Sequence, residues 1–360
     1  MTAVAVARRV LVVCPSWVGD AVMATPALRV VRDALPGSLI GGLVRPGIDR
    51  VLSGSGLIDE FHVVRWSGVL GPKHAAAKIR PRGYEAALLL TNSFSTALVT
   101  RIAGIPRRIG YDRDGRGMLL TERLRPPRTR EGRWAIVPAV EYYMRLSEAL
   151  LGVGPGEGED RAAGPLELGV EPTDHEALSA ALAGDDAGDP DQRWAVLIPG
   201  GNKPEKRWPT PCFAEVGAHL ASAYGLRIAV CGGPGERAIV EDVARQGGPA
   251  FVPLAGGSFT IGSLKALISR SAIVVSNDTG PRHIAAALGT PCVALFGPTD
   301  HRWTVVPCHP AGPQRVVVAD PTLDVAQSAN DHPERCRIDR IQTGRVIAAI
   351  DEVLAAGVAG

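Results

Sequence analysis

The chain has 360 residues, enough for two domains with separate cores, and at 46% hydrophobic and 21% charged it has a globular composition. Disordered and fibrous classes are excluded, and no apolar run approaches the length of a membrane span. The net charge of +2 hides an asymmetry: residues 1–150 carry 22 Lys and Arg against 12 Asp and Glu, or +10, which leaves 17 against 25, or −8, for the remainder. A basic amino half suits an anionic partner such as nucleic acid, a membrane surface or an acidic substrate; a solvated Arg-rich face is the ordinary alternative.

Arg8 and Arg9 precede Val10–Val13, an apolar run too short for a signal segment, so this run reads as a first strand. Further strands are expected at Leu39–Val44, Glu60–Val64 and Ala86–Leu90, with helices at Ala21–Ala34, Ser95–Ala103 and Ala139–Leu151. Such alternation predicts a doubly wound parallel sheet. Residues 152–191 are rich in Gly, Pro, Asp and Glu around one short apolar stretch, Leu166–Val170, and read as a linker region with room for one edge strand or helix. The pattern then restarts with strand Trp194–Ile198, helix Pro211–Tyr224, strand Arg227–Cys231 and helix Glu236–Arg245. It continues through Phe251–Leu254, Ile261–Ser269, Ala272–Val275, a helix from Pro281 and Val293–Phe296, and closes with a helix over Thr343–Ala356. The expected architecture is α/β: two Rossmann-like doubly wound domains facing a central cleft. The expected domains are a first Rossmann-like domain over 1–170, a linker at 171–192 and a second Rossmann-like domain over 193–340. A terminal helix at 341–360 is expected to be able to pack back on the first domain.

The six cysteines, Cys14, Cys212, Cys231, Cys292, Cys308 and Cys336, show no CxxC spacing, so zinc and redox motifs are unsupported and free thiols in a reducing cytoplasm are expected. The eight His residues show no HExxH spacing. Asp112-Arg113-Asp114 is a DxD, but it lies in an Arg- and Gly-rich loop and reads as a solvated charged loop.

Three loops carry candidate chemistry. The first strand ends in Cys14-Pro15-Ser16-Trp17-Val18-Gly19-Asp20, which has one Gly where a dinucleotide fold would need three, and which sets Asp20 at a helix start as an N-terminal charge or a general base. Pro199-Gly200-Gly201-Asn202-Lys203-Pro204-Glu205-Lys206-Arg207-Trp208-Pro209 combines close backbone approach at Gly with positive charge. Ser276-Asn277-Asp278-Thr279-Gly280-Pro281-Arg282-His283 follows an apolar strand and opens an Ala-rich helix, where free N–H groups suit a phosphate. Asn, Asp and Thr are also ordinary N-caps, so this segment alone is ambiguous. A fourth loop, Gly233-Pro234-Gly235-Glu236-Arg237-Ala238, matches GxGxxA loosely and is read as a tight turn near a nucleotide, with Glu236 reaching a ribose.

Taken together, Ser16–Asp20, Lys206-Arg207-Trp208-Pro209, Asn277-Asp278-Thr279-Gly280 with His283, and Leu295-Phe296-Gly297-Pro298-Thr299-Asp300 resemble family-9 glycosyltransferases, the ADP-heptose:lipopolysaccharide heptosyltransferases. Asn92-Ser93-Phe94, and Ala103-Gly104-Ile105-Pro106 leading to Gly110-Tyr111, resemble the heptosyltransferase II branch. The resemblance implies a GT-B fold and inverting, metal-independent, cofactor-free transfer of L-glycero-D-manno-heptose from ADP-heptose to an inner-core lipopolysaccharide acceptor. It makes Asp20 the catalytic carboxylate and Lys206 the donor-phosphate lysine. It puts Asp278 and His283 against the heptose, Thr279 and Gly280 at the phosphate, Gly201, Asn202 and Glu236 on the donor side, and Trp17, Asn92 and Ser93 on the acceptor side. It further implies a cytoplasmic enzyme that can sit peripherally on the inner membrane and has no nucleic-acid partner. Two departures stand out: Gly201 and Asn202 replace phosphate-binding hydroxyls of a related branch, and Pro281 and Arg282 replace a less rigid, uncharged pair. A UDP-sugar transferase or 2-epimerase, a noncatalytic nucleotide- or glycan-binding module, and a nucleic-acid binder are the alternatives.

Overall fold

The computed structural model describes residues 7–66, 68, 70–153, 163–182, 192–307, 309, 312–323 and 332–358. Cys308 and parts of 152–191 lie outside them. The chain divides into two compact units, one of the described residues up to Glu167 with 302–307, the other from Leu168 to His301 and beyond Pro307.

The first unit holds β1 (Arg9–Val13), β2 (Leu39–Val44), β3 (Glu60–Val63), β4 (Ala86–Leu89), β5 (Arg107–Tyr111) and β6 (Glu122–Leu124) in one sheet of order β3-β2-β1-β4-β5-β6. The second holds β7 (Trp194–Ile198), β8 (Arg227–Gly232), β9 (Phe251–Ala255), β10 (Ser271–Asn277), β11 (Cys292–Phe296) and β12 (Gln314–Val318) in the order β12-β11-β10-β7-β8-β9. Every pairing in both sheets is parallel. The two orders are the same once each unit is numbered from its own first strand. Each sheet reverses direction beside its first strand, between β1 and β4 and between β7 and β10. The crevice outside the carboxyl ends of those strands is where doubly wound sheets bind ligands. The central strands are buried along both faces, which is why they read as unbroken apolar runs.

Sequence and structure differ where polar residues occupy sheet positions. The strand β5 begins Arg107-Arg108, yet Arg108 is buried with Nε donating to Leu119 O at 2.7 Å, so its charge disguises a strand. The three-residue β6 and the strand β12, opening Gln314-Arg315, are sheet edges and too short or polar to read. The helix expected over Ala21–Ala34 is two helices, Val18–Met23 and Thr25–Ala34. Pro26 has no N–H for the Val22 carbonyl, and Thr25 Oγ1 donates to that carbonyl at 2.8 Å instead.

The described part of the expected linker region carries one helix. Leu166 is buried and Glu167 N donates to Thr25 Oγ1 at 3.0 Å, while Pro172–Leu182 is a helix of the second unit. That helix is fixed by a buried ion pair, Lys265 Nζ to Asp174 Oδ2 at 3.1 Å, with Lys265 also donating to Gly169 O at 2.9 Å. The terminal helix Thr343–Val358, expected to be able to return to the first domain, sets Val346, Ile350 and Val353 into the second unit's core beside Trp208 and Leu295.

Removing one partner of a buried pair leaves the other charge desolvated, a loss of about 3–5 kcal/mol. Asp174→Ala is therefore expected to lower the urea midpoint sharply. A shift equivalent to under about 1 kcal/mol would show that Lys265 is held without Asp174.

Candidate active site

In the first unit, Asp20 lies in the first turn of Val18–Met23, directly after β1, and Asn92 follows β4 across the switch point. The turn forms because Trp17 is extended at the N-cap and Ala21 N donates to its carbonyl at 2.9 Å. Asp20 is half-buried, and its described side-chain hydrogen bond is a long one from the Tyr143 hydroxyl, 3.5 Å. Burial pushes the Asp20 carboxyl above its ordinary 3.8, and the tyrosine opposes this in part. Beside it Tyr142 stacks on Tyr111 at a centroid distance of 3.9 Å and donates to Asn92 Oδ1 at 3.2 Å. The same oxygen accepts from Arg116 Nη2 at 3.2 Å. Arg116 is wholly buried; its other groups donate to the carbonyls of Thr91 and Tyr111, and desolvation lowers it to about 10. Ser93 caps the helix Phe94–Ile102, accepting Thr96 N–H at 3.3 Å. Trp17 is 68% exposed.

In the second unit the β7 and β10 loops meet. Asn277, buried at the end of β10, donates to Pro199 O at 2.9 Å and Gly200 O at 3.1 Å, and accepts from Trp208 N at 3.3 Å. A Cβ on Gly201 would lie 3.6 Å from Thr279 Cγ2, so the two loops are in contact. Thr279 is the extended N-cap of helix Gly280–Leu288, and Pro281, in that helix's first turn, has no N–H to leave unpaired. Asp278 carries the charge cluster. Its Oδ2 is 3.0 Å from Lys206 Nζ and 3.3 Å from Thr299 Oγ1, and its Oδ1 is 3.4 Å from Arg282 Nε. Arg282 is buried and lies 4.9 Å from the Phe296 ring centroid. His283 is buried with Nδ1 lacking a hydrogen-bond partner among the described residues. Burial first, and Arg282 second, drive its pKa well below 6.5, so the imidazole is neutral.

A family model for glycosyltransferase family 9 (heptosyltransferase) matches residues 74–332. The chain belongs to glycosyltransferase family 9. It is 26% identical over 321 residues to lipopolysaccharide heptosyltransferase 2 of Salmonella typhimurium, covering 86% of this chain and 88% of the relative. Its fold is similar to that of E. coli ADP-heptose lipopolysaccharide heptosyltransferase II, with a TM-score of 0.77 at 24% identity over 97% of this chain and 99% of the other. It is similar also to an E. coli heptosyltransferase solved with ADP-2-deoxy-2-fluoro heptose, with a TM-score of 0.67 at 21% identity over 96% and 99%. The two doubly wound domains are those of the GT-B class, and this family-9 protein is a glycosyltransferase.

Within the family-9 chain, the sequence-predicted residues fall into two groups. Lys206, Asp278, Thr279, Gly280, His283 and Gly201 cluster at the second switch point; Asp20, in a first helical turn, and Trp17, Asn92 and Ser93, on loops, follow the central strands at the first. Asn202 is exposed in the β7 loop. Glu236, expected at a ribose, is turned to the backbone: it accepts Gly201 N–H at 2.7 Å and Gly233 N–H at 2.8 Å. Gly200 is required there, because a Cβ would meet Glu236 Oε1 at 2.2 Å. Tyr143, Arg116 and Thr299 were not singled out. Thr299 lies within Leu295–Asp300, whereas Arg116 has only its place in an Arg-rich loop, and Tyr143 its place on a helical face, as a signal. Asp112 tucks over Gly117, and Asp114 takes a positive φ of 55°, consistent with a turn rather than a metal site. Among the described residues no three His, Cys, Asp or Glu side chains group to hold a metal ion.

The Asp20 shift has a definite linkage sign. The native state keeps this proton at pH values where the unfolded chain has lost it, so Asp20 costs stability as pH rises from 3.8 through the folded value. Asp20→Asn is expected to melt at or above the parent temperature at pH 7, with the advantage shrinking as pH falls toward 3.8. A variant less stable at pH 7 but equal at low pH would mean that the carboxylate is stabilised by a partner.

Proposed function

We propose that this protein is an inverting, metal-independent transferase that moves L-glycero-D-manno-heptose from ADP-heptose to an inner-core lipopolysaccharide acceptor. The observation that carries it is the second switch point, where Lys206, Asp278 and His283 surround a helix N-terminus against a Gly-rich loop. Positive charge and free N–H groups there suit a diphosphate, and a carboxylate beside a neutral imidazole suits sugar hydroxyls. The reading is supported by the Salmonella relative's lipopolysaccharide heptosyltransferase activity and by the ADP-2-deoxy-2-fluoro heptose held by an E. coli heptosyltransferase.

In the proposed reaction Asp20 takes the proton from an acceptor hydroxyl. The oxygen attacks the anomeric carbon from the face opposite the diphosphate, the carbon–oxygen bond to ADP breaks, and its electron pair leaves with ADP. Configuration is inverted because attack and departure are in line. Negative charge grows on the diphosphate, so Lys206 and the N–H groups opening helix Gly280–Leu288 act more strongly on the transition state than on the substrate. A carboxylate raised by burial is a better base than a solvated one. The +10 balance of residues 1–150 suits the phosphates and carboxylates of a glycolipid, and contact with the cytoplasmic leaflet belongs to the same proposal. No described helix is long and apolar enough to cross a membrane.

Ligand at about a hundred times its dissociation constant stabilises a native state by roughly 2.7 kcal/mol. In a thermal-shift panel ADP is expected to raise the melting temperature well above UDP or GDP; a UDP preference would move the assignment to a UDP-sugar enzyme. Transfer assays separate the two halves of the site. Asp20→Asn is expected to lower turnover by about two to four orders of magnitude with ADP affinity almost unchanged. Lys206→Ala is expected to weaken ADP binding and slow transfer together. EDTA is expected to leave the parent rate intact. Full activity in Asp20→Asn, or unchanged ADP affinity in Lys206→Ala, would break the respective assignment.

A further inference from the structure

Arg116 is wholly buried, and the described hydrogen bonds of its guanidinium all go to neutral oxygens. Arginine is seldom buried so completely without a carboxylate bonded to it, so the position calls for a reason beyond packing. Nε donates to Tyr111 O at 3.0 Å and Nη1 to Thr91 O, which ties the ends of the neighbouring strands β4 and β5 and stops the group from turning. Gly110 leaves the room for it, since a Cβ there would lie 3.1 Å from Nη2. The remaining nitrogen, Nη2, donates to Asn92 Oδ1 at 3.2 Å.

What this does to Asn92 follows from which groups can donate and which can accept. An amide oxygen has two lone pairs, and the Tyr142 hydroxyl donates to the same atom at 3.2 Å, so both are used. Were the amide to flip, a hydroxyl could reverse and accept from it; a guanidinium has only donors and could not. Arg116 therefore decides which way Asn92 faces: the oxygen inward, the two N–H groups outward. Asn92 Nδ2 makes no hydrogen bond among the described residues and is not sealed from solvent.

The outward amide belongs to the same crevice as Asp20. Asn92 follows β4 and Asp20 follows β1, adjacent parallel strands at the switch point. Two successive residues of helix Ala139–Leu150 reach them, Tyr142 the amide and Tyr143 the carboxylate at 3.5 Å.

We propose that Arg116 is a positioning residue that locks Asn92 with its N–H groups outward, so that Asn92 donates to an oxygen of the acceptor substrate near the hydroxyl that attacks. This rests on the transferase reading above and adds to it the chemistry of one acceptor contact. A hydroxyl, carboxylate or phosphate oxygen fits there; an N–H group does not.

The test separates orientation from recognition. Asn92→Asp keeps the inward oxygen and replaces only the outward N–H groups with an oxygen. The inward oxygen then carries charge against Arg116, so the variant is expected to melt about 2 °C or more above the parent at pH 7. Its KM for the acceptor is expected to rise about tenfold or more, with ADP affinity by calorimetry within about twofold of the parent. Arg116→Met removes the lock: the acceptor KM should rise by a larger factor than kcat falls, and Asn92→Asp should no longer raise the melting temperature in that background. Tyr142→Phe leaves the guanidinium in place and should raise the acceptor KM less than Asn92→Asp does. A parent-like acceptor KM in Asn92→Asp, melting below the parent, or a melting gain that survives Arg116→Met overturns the proposal. Should Arg116→Met not fold, Asn92→Asp and Tyr142→Phe decide; an acceptor KM in Tyr142→Phe as high as in Asn92→Asp would make the tyrosine the lock and overturn it. A parent that transfers no heptose would sink the reading of function, and the acceptor contact with it, while the melting cycle still decides whether Arg116 sets the amide.

Discussion

The second unit's site depends on one side chain, Asn277. Where a doubly wound sheet reverses, the connections leaving its two central strands diverge and nothing in the backbone ladder ties their loops together. Asn277 does so here. Its amide donates to Pro199 and Gly200 carbonyls at the end of β7, its oxygen accepts the Trp208 N–H, and its backbone terminates β10. Both functions of a primary amide are used, and neither Asp nor Leu could replace it: Asp has no N–H to give, and Leu would leave two carbonyls and an N–H buried without partners. Everything that makes the loop useful follows from that tie, since it brings Gly201 against Thr279 and lets Lys206 reach Asp278. Trp208 extends the same tie into the core, packing on Phe213 and donating Nε1–H to Ile341 O at 3.1 Å.

Much of this was legible in the residues. Two successive βα series predict two doubly wound sheets, and the order of each sheet places its loops where the apolar runs end. The polar tips after β1, β7 and β10 were visible as candidates for the same reason; each alone also reads as an ordinary cap or loop, and their combination is what marks a site. The missed strands β5, β6 and β12 are those whose stability comes from neighbours rather than from their own apolarity. Arg108 reads as solvent-facing and is in fact buried against carbonyls. Arg282 stands four residues past Asp278, a spacing visible in the sequence, but nothing there shows that the side chain is buried against Phe296. Glu236 shows what the sequence does not reveal: a carboxylate in a Gly-rich loop also ties that loop to its neighbour, each oxygen accepting one backbone N–H.

Local rules are broken most where chemistry is expected. A cation opens a helix at Arg282, an imidazole is buried with an uncommitted nitrogen at His283, and a carboxylate is desolvated at Asp20. The same trend is absent from the cysteines: Cys14 is simply buried and pushed up to about 12, and the described thiols are unpaired core residues or near-core ones. Perturbation by burial alone therefore does not mark a site; perturbation beside a switch-point loop does.

The two aspartates show how environment assigns different work to one side-chain type. Asp278 is set between two cations and a hydroxyl, which hold its two oxygens in place. Asp20 has a neutral partner instead, the Tyr143 hydroxyl, itself kept protonated by burial and by the carboxylate beside it. A cation in that place would have lowered the Asp20 pKa and weakened it as a base; a tyrosine at 3.5 Å orients it while leaving burial free to raise it. The division follows from which neighbours each loop can recruit. The β7 and β10 loops bring Lys206 and Arg282 to Asp278, whereas the only partner that helix Ala139–Leu150 offers Asp20 is an aromatic hydroxyl. One unit thus holds a carboxylate between two cations and the other a half-buried carboxylate beside a tyrosine, and the difference lies in the neighbours rather than in the side chain.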